Sequence, residues 1–197
     1  MRGMKKKLLF VIMLIPLFMT GCSVSTNESE EAINVISPLE LTAEEQEVLS
    51  YFFLDTQSYC LCKYYPPKGT DLIEFTHISY VDGHLVSEEK ILEMEQEDAP
   101  YGVISVYEAG NDMYTIVCNM GAASTMYQGQ QFYVPEEEVL AVRYSVVKEE
   151  KIVLNQPYRL FASVVGDGVD TEKIDDKTIS MAKAVDIISV TFTSEAA

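Results

Sequence analysis

The chain has 197 residues, with 31 Asp and Glu against 14 Lys and Arg and a formal charge of −17. This acidity argues against a nucleic-acid partner, because phosphate backbones are bound by clustered Lys and Arg. The length allows one domain with a substantial core and leaves little material for a second.

The first 21 residues have the pattern of a lipoprotein signal peptide. Residues 2–7 carry four positive charges, and residues 8–18 form an apolar run that is too short to span a bilayer as a helix. The run leads into Met-Thr-Gly-Cys at residues 19–22, which resembles the lipobox of bacterial lipoproteins. The resemblance implies that residues 1–21 are removed and that Cys22 is lipidated, which would attach the protein to a membrane surface.

The chain that remains after this cleavage is more acidic than the whole. Residues 1–21 contain four basic residues and no acidic one, so 10 basic residues remain against 31 acidic ones and the formal charge becomes −21. Residues 22–38 contain no aromatic side chain and are predicted to be a flexible acidic tether. Residues 39–197 are predicted to form a single domain. The charge favours solubility, and it would also suit a basic partner such as a cationic peptide.

The sequence Leu-Thr-Ala-Glu-Glu at residues 41–45 predicts the start of a helix. The Thr42 side chain is placed to accept a hydrogen bond from the backbone N–H of Glu45, whose carboxylate would reach back to Thr42. We expect about ten helical residues here and no other helix in the chain. Its apolar face would contain Val48, Leu49, Phe52 and Phe53.

Beyond this helix the apolar pattern changes to a period of two. The segments are rich in Tyr, Val, Ile, Phe and Thr, and Gly, Pro, Asn and Asp separate them, which is typical of strands and turns. The predicted strands are 59–65, 71–80, 101–108, 113–119, 139–147, 152–154, 158–164 and 185–192.

Short strands with frequent turn signals predict an all-β fold, mainly an antiparallel β-sandwich of immunoglobulin-like or similar type, with one short N-terminal helix. Asp82 and Gly83 lie between two strand patterns and predict a tight hairpin. Residues 87–97 fit either an acidic strand or a short helix. Residues 120–131 and 165–177 are predicted to be the longest loops, and we expect a binding site there.

Three motifs in the predicted domain carry a family resemblance. They are the helix start at 41–45, the pair Leu-Ile-Glu-Phe at 72–75 and Tyr-Val-Asp-Gly at 80–83, and Ile-Ser-Val-Thr-Phe at 188–192. Their order resembles a family of small extracytoplasmic lipoproteins of Gram-positive bacteria. That family has no established activity, so the resemblance implies a membrane-anchored β domain and no particular reaction.

The sequence does not predict an enzyme. Only His77 and His84 are available as a general base, and neither lies in a recognisable nucleophile context. His77 falls within a predicted strand and His84 beside the hairpin, where we expect ordinary surface or half-buried side chains. The chain also lacks the glycine-rich motifs that bind nucleotide phosphates. We therefore predict no cofactor.

Three cysteines remain beside the lipidated one, namely Cys60, Cys62 and Cys118. One interpretation is that they are small apolar side chains in a core. A disulfide from Cys60 or Cys62 to Cys118 is a second interpretation, whereas a bridge between Cys60 and Cys62 would require the strand to kink. A third interpretation joins the thiols to one of the two histidines as a zinc or soft-metal site.

The aromatic residues suggest a surface for recognition. The chain has 12 Tyr and no Trp, and the groups at 64–67 and 127–133 would suit a carbohydrate or a peptide, although Tyr is also common in strands for packing reasons. The sequence thus predicts a monomeric, lipid-anchored, extracytoplasmic module with a recognition or accessory role and a protein, peptide or glycan partner. The alternative is a thiol- or metal-binding module built on Cys60, Cys62 and Cys118.

Overall fold

The computed structural model describes residues 34–52, 59–108, 113–131, 141–166 and 174–194. The predicted signal peptide, Cys22 and most of the predicted tether lie outside these ranges. The described residues all belong to one compact unit. None of the helices in the described ranges is both long and apolar enough to cross a membrane.

Antiparallel strands make up most of the described chain. Every pairing between neighbouring strands is antiparallel, which confirms the predicted all-β class. The elements are β1 (Val35–Pro38), α1 (Ala43–Phe52), β2 (Tyr59–Tyr65), β3 (Leu72–Val81), β4 (His84–Glu95), β5 (Gly102–Glu108), β6 (Met113–Met120), β7 (Ala123–Gln131), β8 (Ala141–Ser145), β9 (Glu150–Lys151), β10 (Pro157–Val165), α2 (Asp176–Met181) and β11 (Ala184–Thr193).

The strands form two sheets packed face to face. The first sheet has the order β7-β6-β5-β2-β1-β9, and the second has the order β4-β3-β11-β10-β8. The sheets approach each other at both sides, where β4 lies beside β7 and β8 lies beside β2. The architecture is therefore a β-sandwich, as the strand pattern predicted.

The main core fills the space between the sheets. Residues along β2 alternate between half-buried and buried positions, as expected for a strand with one face toward a core. Cys60, Cys62 and Tyr64 are the inward residues of this strand, and each has no exposed surface. Facing side chains from both sheets complete the core, including Ile73, Phe75, Ile104, Val106, Ile116, Leu160, Val190 and Phe192.

A second, smaller core lies on the outer face of the second sheet, beneath α2. Ile179 of this helix belongs to the same buried cluster as Val164 and Ile187. The sequence predicted a single helix, and α2 corrects that prediction. Its start is fixed by Asp175, whose side chain accepts a hydrogen bond of 2.8 Å from the backbone N–H of Thr178, a standard N-cap.

The predicted start of α1 is confirmed. The backbone N–H of Thr42 donates to Glu45 Oε2 over 2.8 Å, and the backbone N–H of Glu45 donates to Thr42 Oγ1 over 3.3 Å. These reciprocal bonds are the expected capping box. Val48, which was predicted to lie on the apolar face of this helix, is 50% exposed. The side chains of the other three residues predicted for that face lie outside the described set.

Strand β1 moves the start of the domain toward the N-terminus. Val35–Pro38 was predicted to belong to the tether, but it pairs with β2 on one side and with β9 on the other. Ile36 is only 2% exposed, so this short strand is held by an apolar anchor as well as by backbone bonds. The ordered fold thus begins before residue 39.

The hairpin between β3 and β4 is the one that the sequence predicted. Asp82 has a φ of 48° and Gly83 a φ of 76°, and two successive positive φ values are those of a type I′ turn. The ambiguous segment 87–97 falls mostly within β4, a strand of 12 residues. Pairing with the apolar strand β3 favours the extended form of this acidic segment over a helix.

Residues 120–131, predicted to be a loop, form most of the β6–β7 hairpin instead. Cys118 pairs with Thr125 and Met113 with Gln131, with a register shift between Met113 and Thr115 and a short turn around Gly121. The abundance of Gly, Ala, Ser and Gln indicated a loop because these residues have little intrinsic strand preference. Pairing with the apolar strand β6 overrides that preference.

The predicted strand 152–154 is also corrected. Strand β9 ends at Lys151. The backbone N–H of Ile152 still donates to the carbonyl oxygen of Asn34 over 2.8 Å, but the backbone groups on either side of it bond to a side chain. The Tyr158 hydroxyl donates to the carbonyl oxygen of Lys151 over 3.0 Å and accepts from the backbone N–H of Val153 over 2.6 Å. Through these two hydrogen bonds Tyr158 stabilises the bend in the chain between β9 of the first sheet and β10 of the second.

Candidate functional site

The structure places the three cysteines in the core as free thiols. Cys60, Cys62 and Cys118 have no exposed surface. Cys62 pairs with Ile104 of β5, and Ile104 pairs with Cys118 of β6. Two strand spacings, about 9 to 10 Å, therefore separate Cys62 from Cys118. This separation exceeds the Cα distance of a disulfide.

The thiols of Cys62 and Cys118 have raised pKa values and stay protonated. The hydrogen bond with the Cys60 thiol, together with burial, raises the pKa of Cys62 well above its ordinary value. Burial also raises the pKa of Cys118 to about 11, although the Tyr64 hydroxyl, 3.7 Å from Cys118 Sγ, opposes this shift. Because the thiolate is the nucleophile and the metal ligand, protonated buried thiols are poorly suited to redox or metal chemistry.

The raised thiol pKa values predict a loss of stability at alkaline pH. The folded chain holds the thiol proton to a higher pH than the unfolded chain does. The resulting stabilisation is complete below about pH 9, and it is lost as the pH rises toward about 11. For Cys118 alone, whose pKa rises from 9.0 to about 11, we expect a loss of about 1.4 kcal/mol at about pH 10. Urea unfolding across this range would measure it.

The control for this prediction is the Cys118→Ala variant. Its unfolding free energy should start lower, because of the lost side-chain volume, and should then decline less steeply with pH than that of the native chain. A native chain whose stability does not fall above about pH 9, or a variant with an unchanged pH profile, would contradict the assignment.

The proposed set of thiols and one histidine is not assembled into a metal site. In the part of the chain that the structure describes, no group of three or more His, Cys, Asp or Glu side chains is arranged to hold a metal ion. His84 is exposed at the start of β4. His77 has a different partner, the carboxylate of Asp186.

His77, Ser79 and Asp186 form a polar cluster between the sheets. His77 and Ser79 lie two residues apart on β3, and Ser79 is paired with Asp186 of β11. The side chain of His77 is 15% exposed and that of Asp186 is 3% exposed. The ring of Tyr114, from the opposite sheet, meets the His77 ring edge-on at a centroid distance of 5.4 Å. The cluster therefore faces the interior of the sandwich.

The geometry of this cluster differs from that of a catalytic triad. In a triad the serine and the carboxylate occupy opposite nitrogens of the imidazole. Here Asp186 Oδ1 and Ser79 Oγ lie 3.0 and 3.4 Å from the same nitrogen, His77 Nε2. The Ser79 hydroxyl donates to Asp186 Oδ1 over 2.5 Å, so its proton is directed at the carboxylate and not at the imidazole. The arrangement does not activate Ser79 as a nucleophile.

Of the two segments predicted to be loops that carry a binding site, one is mainly a strand and the other is described only in part. Residues 120–131 belong mainly to the paired strand β7. Residues 167–173, the middle of the other segment, lie outside the described residues. The described remainder of that segment, from Ile174 onward, leads into α2 and lines a cleft that the sequence did not predict.

This cleft is lined by residues of β9 in the first sheet and of β10 in the second. Its volume is about 370 Å³. Its floor is apolar, and Ile36, Tyr158 and Ile174 are respectively 2, 4 and 8% exposed. The two sheets contribute to its walls from opposite sides. The charged residues that line it are Lys148, Glu150, Arg159 and Asp175.

Two further recesses flank the connection between β1 and α1. Their volumes are about 440 and 350 Å³. The smaller one includes Lys63, whose ammonium group lies 4.7 and 4.3 Å from the ring centroids of Tyr65 and Tyr101. These cation–π contacts occupy Lys63 within the protein itself. Neither recess combines two cations and two anions as the first cleft does.

The predicted aromatic surface is only partly present. Tyr64 is fully buried, whereas Tyr65 is half-buried and lies beside Tyr101 on the outer face of the first sheet, with the ring centroids 5.9 Å apart. Tyr127 is half-buried near Tyr114, at a centroid distance of 6.4 Å. Tyr64 and Tyr127 thus pack against other side chains of the domain. The Tyr65–Tyr101 pair remains as the aromatic surface. Tyr133 lies outside the described residues.

Two features of the candidate sites were not predicted from the sequence. Asp186 was not recognised as the partner of His77, although a lone acid within the apolar segment 184–190 is a signal for a buried partner. The cleft was also missed, because Lys148 lies between two predicted strands and Arg159 within a third. No local motif connects these residues.

Comparisons with protein-family models, with curated proteins and with solved structures find no match for this chain. The likeness to small extracytoplasmic lipoproteins therefore stays a prediction from the lipobox-like residues 19–22 and from the motifs at 41–45, 72–75, 80–83 and 188–192. The β-sandwich class rests on the strand pairing described above.

Proposed function

We propose that this chain is an extracytoplasmic lipoprotein whose β-sandwich binds a ligand or partner without catalysing a reaction. The apolar run at 8–18 and the lipobox-like residues 19–22 support the attachment. In this proposal Cys22 carries the acyl chains, and the domain is a monomer on the outer face of the cytoplasmic membrane of a Gram-positive bacterium. Two acyl chains on one residue give firm attachment, whereas a single chain binds only marginally.

The observation that carries the recognition role is the cleft of about 370 Å³. Small-ligand sites usually combine an apolar lining with a few polar groups that fix orientation. The cleft has this composition, since its buried floor includes Ile36 and Tyr158 and its charged groups lie on four separate residues. Both sheets contribute to it, so the rigid sandwich holds its walls in place.

The chemistry of the cleft supports binding more than catalysis. Hydrolysis by a pair of carboxylates requires one of them to stay protonated through a raised pKa. The pKa of Asp175 is instead lowered, because its carboxylate accepts a hydrogen bond from the backbone N–H of Thr178. The Tyr158 hydroxyl already bonds to two backbone groups. His77 lies with Asp186 between the sheets and does not line the cleft.

The thiol or metal module is the weaker alternative. It requires Cys60, Cys62 and Cys118 to react or to bind an ion as thiolates. All three are buried, and the pKa values of Cys62 and Cys118 are raised. Core packing accounts for the three side chains without any reaction.

Attachment is tested by metabolic labelling with a fatty acid that carries an alkyne. We expect the native chain to incorporate the label and the Cys22→Ser variant to incorporate none, because no other residue is the proposed acylation site. The Cys118→Ala variant is the matched control and should be labelled like the native chain. An unlabelled native chain, or a Cys22→Ser variant that keeps the label, would overturn the proposed attachment.

A further inference from the structure

The described lining of the cleft carries both signs of charge equally, in contrast to the composition of the chain. The whole chain has 31 acidic and 14 basic residues, yet the described residues that line the cleft include two basic ones, Lys148 and Arg159, and two acidic ones, Glu150 and Asp175. A ligand that complements this lining should itself carry both signs of charge. A polyanion would be repelled by the two carboxylates, and a polycation by the two basic groups.

These four charged side chains are not paired with one another. Within the described ranges, no ion pair of 4.0 Å or less joins any two of them. A charged group beside a partly apolar cleft gains most from a charge-assisted hydrogen bond with a ligand that it does not already make within the protein. The cleft thus presents two positively charged and two negatively charged side chains to a ligand.

Two of the four groups are also fixed in position. Arg159 Nη1 donates to the carbonyl oxygen of Ile174, and Asp175 Oδ1 accepts from the backbone N–H of Thr178 over 2.8 Å. Each of these bonds uses one atom of its side chain. The planar guanidinium has further N–H groups that match a carboxylate. The exposed carboxylate of Asp175 also interacts with Lys177, and its negative charge matches an ammonium group.

We infer that this cleft binds a small zwitterion with a free α-ammonium group and a free carboxylate, the chemistry shared by amino acids and short peptides. The carboxylate would lie at Arg159 and Lys148, and the ammonium group at Glu150 and Asp175. An apolar side chain of the ligand would lie on the floor. The volume of about 370 Å³ lies at the small end of ligand sites. This ligand class deepens the proposed recognition role and rests on it.

The test is calorimetric titration of the full lipidated chain, extracted in detergent, with L-alanine and with L-alanyl-L-alanine. These two probes distinguish a free amino acid from a peptide. We expect at least one of them to bind, and we expect N-acetylation or C-terminal amidation of that probe to weaken binding about ten-fold or more, because each removes one charged contact. No heat with either probe at millimolar concentration, or equal affinity of the blocked forms, would overturn the inference.

Variants of the protein locate the site. Lys148→Gln and Glu150→Gln change exposed side chains of the cleft and should each weaken binding about ten-fold without lowering the melting temperature. Lys68→Gln, in the exposed turn between β2 and β3, is the control and should bind normally. Unchanged binding in both cleft variants, or equal weakening in the control, would exclude this cleft as the site.

The outcome is separable from that of the proposed function. If the chain incorporates the fatty-acid label but binds neither probe, the proposal of a zwitterionic ligand fails and the proposal of an anchored module stands. Conversion of L-alanyl-L-alanine to alanine during the titration, detected by amino-acid analysis, would contradict the non-catalytic role even though the peptide binds.

Discussion

We expect the Gly129→Ala variant to lose about 3 kcal/mol of unfolding free energy, because a methyl group at this position has no space. A Cβ atom on Gly129 would lie 2.0 Å from Cζ and 2.2 Å from Cε2 of Tyr114. Tyr114 is itself fully buried, so its ring cannot move toward solvent. Chemical denaturation followed by circular dichroism would measure the loss through the midpoint, with an unchanged slope.

A double-mutant cycle shows whether the clash is the cause. In a Tyr114→Leu background the ring is absent, and the further change Gly129→Ala should cost much less than it does in the native chain. Gly69 provides a comparison, since a Cβ atom there would have nothing within 4 Å, although its φ of 89° adds backbone strain. Equal costs of Gly129→Ala in the two backgrounds would show that the close approach of the Tyr114 ring is not the reason.

We expect His77→Phe to destabilise the domain by about 3 kcal/mol, because removal of one partner from a buried polar pair leaves the other poorly compensated. Phe fills the place of the imidazole but cannot donate to the carboxylate of Asp186. That side chain is only 3% exposed, so water does not replace the lost donor. Thermal and urea unfolding would measure the cost.

The two histidines provide a matched control. His84→Phe changes the same residue type at an exposed position at the start of β4 and should alter stability by less than about 0.5 kcal/mol. The double variant of His77→Phe with Asp186→Leu should recover part of the loss, because an apolar pair replaces the buried polar one. If His77→Phe is no more costly than His84→Phe, the pair with Asp186 does not stabilise the fold.

Alternation of apolar and polar residues was sufficient to predict much of the sandwich. Strand β2 spans the predicted residues 59–65, and the type I′ turn at Asp82 and Gly83 follows from the residue pair alone. Both features depend on neighbours in sequence. The same is true of the capping box between Thr42 and Glu45.

The elements that were missed depend on distant partners. Strand β7 is rich in residues with weak strand preference, and its pairing with β6 decides its conformation. Residues 152–154 have a strand-like composition, yet the Tyr158 hydroxyl takes the backbone groups at Lys151 and Val153. The strand preference of the residues in a segment carries no information on its distant partners, which are β6 in the first case and Tyr158 in the second.

The candidate sites were unpredictable for a similar reason. His77 and Asp186 are 109 positions apart in the chain, and only the register of β3 against β11 brings them together. The cleft combines a residue of β1 with residues that surround β9, β10 and the start of α2. Composition revealed an acidic chain, but not the cleft whose described lining has two acidic and two basic side chains.

The central claim is that the protein is anchored through Cys22 and that its other cysteines are structural. The most direct test is the intact mass of the chain extracted from membranes without reductant or chelator, combined with thiol counting after unfolding. The account predicts a chain that begins at Cys22, carries the acyl chains there and has three free thiols, those of Cys60, Cys62 and Cys118. A chain that retains residues 1–21, a mass lower by about 2 Da with one free thiol, or a retained metal ion would contradict it.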